Sequence, residues 1–137
     1  MLVARALFLL LAMSAAWVAQ AADEDWMSVA DQVIEQLDTA LTSYQAGDAK
    51  TARREVIQAY FGPFEGEKME AAIRSHLGIE PAFLLERQFG AIRKDIKSGA
   101  PEKEVASAVN KLKQALKDHA EQLNEAGVPL SVYEVNQ

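Results

Sequence analysis

Four long amphipathic stretches, each followed by a glycine, constrain this chain more than any other feature. Gly47, Gly78, Gly99 and Gly127 close segments whose apolar residues recur at three- and four-residue spacing. A glycine in that position takes the left-handed conformation that ends a helix without a Cβ clash. The first segment carries Ala30, Ile34, Leu37, Leu41 and Tyr44; the third carries Leu85, Phe89, Ile92 and Ile96; the fourth carries Val105, Val109, Leu112, Leu116 and Leu123. Each set forms one apolar face at the helical period, and such a face needs a partner that buries it. Asp48 stands where the second helix takes its N-cap. Pro81 and Pro101 stand at the first helical position, where a missing N–H costs nothing. Helices are therefore predicted over 24–46, 49–77, 81–98 and 101–126, with an irregular tail from 128. Connections this short make sequential helices antiparallel neighbours, so the predicted fold is all-α, an up-down-up-down four-helix bundle with a kinked second helix. Glu102 and Glu104 at the start of the last helix, and Lys94 and Lys97 near the end of the third, complement the helix dipoles.

Residues 1–21 read as a secretory signal peptide. They hold one early cation, Arg5, then an apolar run from Ala6 to Val18, then Ala19-Gln20-Ala21 in small-x-small form. The run is shorter than the ~20 residues a spanning helix needs, although retention as an anchor is the alternative. Cleavage after Ala21 predicts an exported, periplasmic protein whose residues 22–137 form a single domain. Arg5 is the only charged residue in the segment, so 13 basic side chains then face 20 acidic ones. That balance argues against nucleic acid and anionic membrane surfaces as partners and permits cationic ligands.

The chain has no cysteine, which removes thiolate chemistry, covalent haem attachment and disulfides together. It has two histidines and no Glu-x-x-His, no His-Glu-x-x-His, no Gly-x-Ser-x-Gly and no glycine-rich phosphate loop. This inventory predicts a binding module and not an enzyme.

The densest chemistry lies between Arg53 and Leu77, around the break at Gly62-Pro63. Pro63 cannot donate to the carbonyl of Ala59 and its ring crowds that carbonyl, so the helix is predicted to kink there. Tyr60, Phe61 and Phe64 are predicted to be core residues holding the kink. Glu65 lies four residues after Phe61 and four before Met69, at the edge of the core stripe if helix resumes in register. A carboxylate in such a place is costly unless a cation pairs with it. Glu67 and Glu70, three apart, can share one hard cation or simply face water. The candidate metal ligands are Glu65 and Glu70 first, then Glu67 and Glu55, with His76 and Met69 as softer donors. Oxygen donors suit ferric iron or manganese; added imidazole or thioether shifts preference toward copper.

The run AYFGPFEGEKMEAAI, followed by Phe89-Gly90-Ala91-Ile92-Arg93 and by Gly99-Ala100-Pro101, resembles the extracytoplasmic N-terminal domain of bacterial high-affinity iron permeases. The resemblance extends from about Arg53 to Val105. It implies a part in iron uptake, with a membrane iron permease or related uptake proteins as partners. It does not extend to the polytopic part that carries the permease's Arg-Glu-x-x-Glu motifs. Arg54-Glu55-Val56-Ile57-Gln58 has the first half of that motif, and Gly66-Glu67-Lys68-Met69-Glu70 lacks its arginine. The resemblance thus implies binding or delivery of iron, with transport left to a separate permease.

Two other readings are open. Met27 and His119 would meet at one end of a bundle whose outer helices are antiparallel, as the haem ligands do in small periplasmic b-type cytochromes. His119 continues the stripe of Leu112, Leu116 and Leu123, and a histidine bonded to a neighbour at the core edge is the simpler account of it. The third reading is an adaptor whose acidic surface docks a membrane permease without any metal.

Overall fold

Asp25 opens the first helix from an extended backbone, its Oδ1 accepting the Ser28 N–H at 2.9 Å. This satisfies one of the N–H groups that a helix start leaves without a partner. Asp48 does the same for the second helix, accepting from the Thr51 N–H at 3.0 Å, as predicted. The computed structural model describes residues 24–133; the predicted signal peptide lies outside them. The described residues are all-helical. They form α1 (Trp26–Gln45), α2 (Ala49–Ala59), a π-helical turn (Tyr60–Phe64), α3 (Met69–His76), α4 (Ile79–Ser98), α5 (Glu102–Glu125) and a short 3-10 turn (Leu130–Tyr133).

All four predicted terminating glycines have positive φ. At Gly99 the reason is visible in the bonding: Ala100 N–H reaches Asp95 O at 3.0 Å and Gly99 N–H reaches Ile96 O at 3.2 Å. This paired closure requires a left-handed residue. The prolines sit differently from the prediction. Pro101 precedes α5 as its cap, and Pro81 is the third residue of α4, which begins at Ile79. Both places lie where no intrahelical N–H bond exists to be lost, so proline costs little at either.

The core joins the apolar stripes of all five helices. α1 packs on α2 and α5, and α4 packs on α2, α3 and α5. Three contacts fix α1 and α5 as antiparallel along their whole length. Trp26 N–H donates to Asn124 Oδ1 at 3.1 Å, Lys113 Nζ meets Asp38 Oδ1 at 2.6 Å, and the Tyr44 hydroxyl donates to the Ala100 carbonyl. Every predicted stripe residue of α4 and α5 is buried.

The second helix departs from the prediction of one kinked rod over 49–77. Gly62 and Pro63 fall inside the π-turn, and Glu65 N–H bonds Tyr60 O five residues back. Widening the turn by one residue accommodates the proline, which has no N–H for the tighter ladder. The actual break comes later. Glu67 N–H bonds Pro63 O at 3.2 Å, Lys68 N–H bonds Glu65 O at 3.0 Å, and Lys68 adopts φ 67, the one positive φ outside glycine among the described residues. α3 restarts at Met69.

A lysine in the left-handed region carries about 1–2 kcal/mol of steric strain. Lys68→Gly removes that strain and adds chain entropy to the unfolded state, so it is expected to raise stability by a net ~0.5–1 kcal/mol. Urea denaturation checks this, and a loss of stability would show that the break is not strained.

Candidate functional site

The π-turn decides which aromatics face inward. In α2 the core residues are Ala52, Val56 and Ala59. Continued α-helical spacing would next bring Pro63 to that face; one extra residue in the turn brings Phe64 there instead, and Phe64 is fully buried. Tyr60 is half-buried at the edge of the core. Phe61 corrects the prediction that all three aromatics are core: it is 59% exposed. Lying two residues past Ala59, it falls about 200° round the helix, on the outer face.

Tyr60 and Phe61 line, with Phe89 of α4, a cleft of about 300 Å³. Tyr60 packs edge-on against Phe61 at 4.9 Å between centroids and against Phe89 at 5.3 Å, while Phe89 also meets Phe64 at 5.2 Å. Ile57 completes the apolar lining, and Glu65, Glu86 and Arg93 supply its charges. The Tyr60 hydroxyl donates to Glu70 Oε2 at 3.3 Å, and Glu70 Oε1 is bridged by Arg74 one turn along α3. Burial and then the nearby carboxylates of Glu70, Glu86 and Glu65 push the Tyr60 phenol up from 10.0 to about 12. Glu70 thus meets the Tyr60 hydroxyl directly, while Glu65 and Glu86 bring two carboxylates, with the Arg93 guanidinium, to the lining of the same partly apolar cleft.

The shift has a signed consequence for stability. Above the unfolded value of 10.0 the unfolded chain loses the Tyr60 proton while the folded chain keeps it until about 12. The favourable contribution is whole below pH 10 and is lost as pH rises through that window. Tyr60→Phe is expected to remove this one component of the alkaline loss, which alkaline urea titrations of both proteins measure by difference.

The predicted ligands are dispersed. Glu65 is exposed and lines the cleft, and Glu70 is half-buried beneath the Tyr60 hydroxyl. Glu67 lines a separate shallow groove beside Pro63 and the α1 residues Gln32, Glu35, Gln36 and Thr39. Glu55 is half-buried on α2, its Oε2 buried without a hydrogen-bond partner. His76 is exposed at the end of α3, and Met69 is fully buried in the core. Among the described residues no three His, Asp or Glu side chains are grouped closely enough to hold a metal ion by themselves. Glu86 and the Tyr60 hydroxyl were not among the predicted ligands. The signal for Glu86 is its spacing of three and seven residues before Phe89 and Arg93, which puts all three on one flank of α4.

Met27 and His119 lie toward the end of the fold where Trp26 meets Asn124. Met27 packs half-buried against the core, and His119 is half-buried with its Nδ1 unpartnered. Trp26, Leu116, Ala120 and Leu123 fill the core at this end with no exposure, so a haem between the two would have to displace them. No protein-family model matches the chain, and neither does any curated protein or solved structure.

Proposed function

We propose that this chain is a non-catalytic module that binds a transition-metal cation, iron above all, and hands it to a membrane iron permease outside the cytoplasm. The observation that carries this reading is that Glu65 and Glu86 line one aromatic cleft with Tyr60, whose hydroxyl donates to Glu70. Carboxylate oxygens are hard donors suited to iron and manganese. Glu65 and Glu86 are the proposed ligands, with Tyr60 in the same cleft lining and Glu70 held by Arg74 as a neighbouring negative charge. The donors leave positions for water or for a partner's side chains. An open set of this kind holds a cation loosely enough to release it, which fits delivery better than storage.

The resemblance of the Tyr60–Ile73 and Phe89–Arg93 stretches to extracytoplasmic iron-permease domains supports the same assignment. So does the signal-like segment 1–21, from which this reading expects export to the periplasm. With α2, the π-turn and α3 counted as one broken rod, an up-down-up-down bundle is the topology this reading adopts. Calorimetric titration with manganese(II) and anaerobic iron(II) is expected to give saturable heat that Glu65→Gln/Glu86→Gln abolishes or weakens by about tenfold or more, the loss of roughly 1.4 kcal/mol of binding energy. Absence of heat with both metals, in a folded protein, would remove the reading.

A further inference from the structure

The groove between α2 and α4 continues past the aromatic cleft and changes sign. Two adjoining depressions, of about 320 and 270 Å³, share Arg53 and Lys97. Together they are lined by six cations, Lys50, Arg53 and Arg54 from α2 and Arg93, Lys94 and Lys97 from α4. No carboxylate lines either one, although the sequence holds 20 acidic residues against 14 basic. The two salt bridges among the described residues, Arg74–Glu70 and Lys113–Asp38, use none of the six. Asp48, near Lys50 and Arg54, is engaged as the cap of α2 through the Thr51 N–H.

Six like charges on facing helix turns repel one another, and an acidic chain has every means of interspersing a counter-charge. Their accumulation over the apolar floor of Ile57 and Ile96 makes sense if the counter-charge arrives from outside. Guanidinium groups on both walls match the planar, two-oxygen geometry of carboxylate and phosphate. Because Arg53 and Lys97 serve both depressions, one anion with two or more charged groups can span them.

We propose that the α2–α4 groove is a binding site for a compact polyanion bearing clustered carboxylate or phosphate groups, supplied either as a free small molecule or as a phospholipid headgroup. The proposal does not depend on the cation reading of the cleft, with which the groove shares Ile57 and Arg93 at their boundary. The experiment follows thermal unfolding of the metal-free protein with pyrophosphate and with citrate at constant ionic strength, and co-sedimentation with vesicles of phosphatidylcholine alone and of phosphatidylcholine with cardiolipin, whose headgroup bears two phosphates. Saturable stabilisation by either free anion beyond that of sodium chloride, weakened by about tenfold or more in Arg53→Gln/Arg93→Gln/Lys97→Gln, establishes the free-anion source. Sedimentation with the cardiolipin vesicles alone, lost in the same variant, assigns the headgroup source. All three side chains are exposed, and an unchanged circular dichroism spectrum confirms that the variant is folded. No response to any probe, or equal responses in the variant and the parent, overturns the proposal.

Discussion

Phe64→Ala is expected to lower stability by about 3–5 kcal/mol, the cost of emptying a fully buried aromatic site, whereas Phe61→Ala changes it by less than about 0.5 kcal/mol. The two rings are three residues apart in one aromatic run, and composition alone gives no reason to treat them differently. The π-turn does. It spaces Phe64 five residues after Ala59, so the ring enters the core against Phe89, while Phe61 remains outside. Urea denaturation of both variants reads the register directly. Equal effects would mean that the turn does not direct the two rings to opposite faces.

Trp26→Ala is expected to be similarly severe, about 3–5 kcal/mol. Trp26 has no exposed area and closes the end of the core where α1 begins and α5 finishes. Its Nε1–H also donates to the Val128 carbonyl at 2.7 Å, holding the segment beyond α5 onto the core. Trp26→Phe keeps most of the buried area but leaves that carbonyl without its donor, for an expected loss of about 1–3 kcal/mol. Hydrogen exchange separates the two contributions. In Trp26→Phe faster exchange is expected to be concentrated around residues 124–130, while in Trp26→Ala it spreads through α1 and α5.

Much of this architecture was legible because it is written in local signals. The stripes of α4 and α5 and the terminating glycines follow from helical period and from backbone sterics, which act within a few residues. Asp48 was legible as a cap for the same reason. The π-turn was not, because proline at position 63 announces only that the tight ladder fails; whether the chain kinks, widens or stops depends on what the surrounding core accepts. Here a phenylalanine fits the position that regular spacing would give to Pro63. The break at Lys68 was hidden because lysine carries no turn signal, and its left-handed backbone is imposed by the geometry on either side.

The candidate site divides in the same way. Glu65 and Glu70 were found from their places near the break. Glu86 comes from a different helix, and its approach to Tyr60 depends on how α4 packs against the π-turn, which no spacing within a single segment encodes. Glu67 shows the converse: it is close to Glu65 in sequence, yet it lines the groove on the α1 side. Met69 was read as a possible donor from its neighbours, and its full burial makes it packing for the restarted helix.

The central claim is that a cation is received at the mouth of the aromatic cleft, between Glu65 and Glu86 beside Tyr60. Substoichiometric manganese(II) added to isotopically labelled protein tests it without any mutation, because the paramagnetic ion broadens NMR signals most strongly at the residues nearest to it. The expected result is early loss of the Tyr60, Glu65 and Glu86 signals, with Glu70 following. Broadening centred on Glu35 and Glu67, or on Met27 and His119, or spread evenly over the acidic surface, would contradict it.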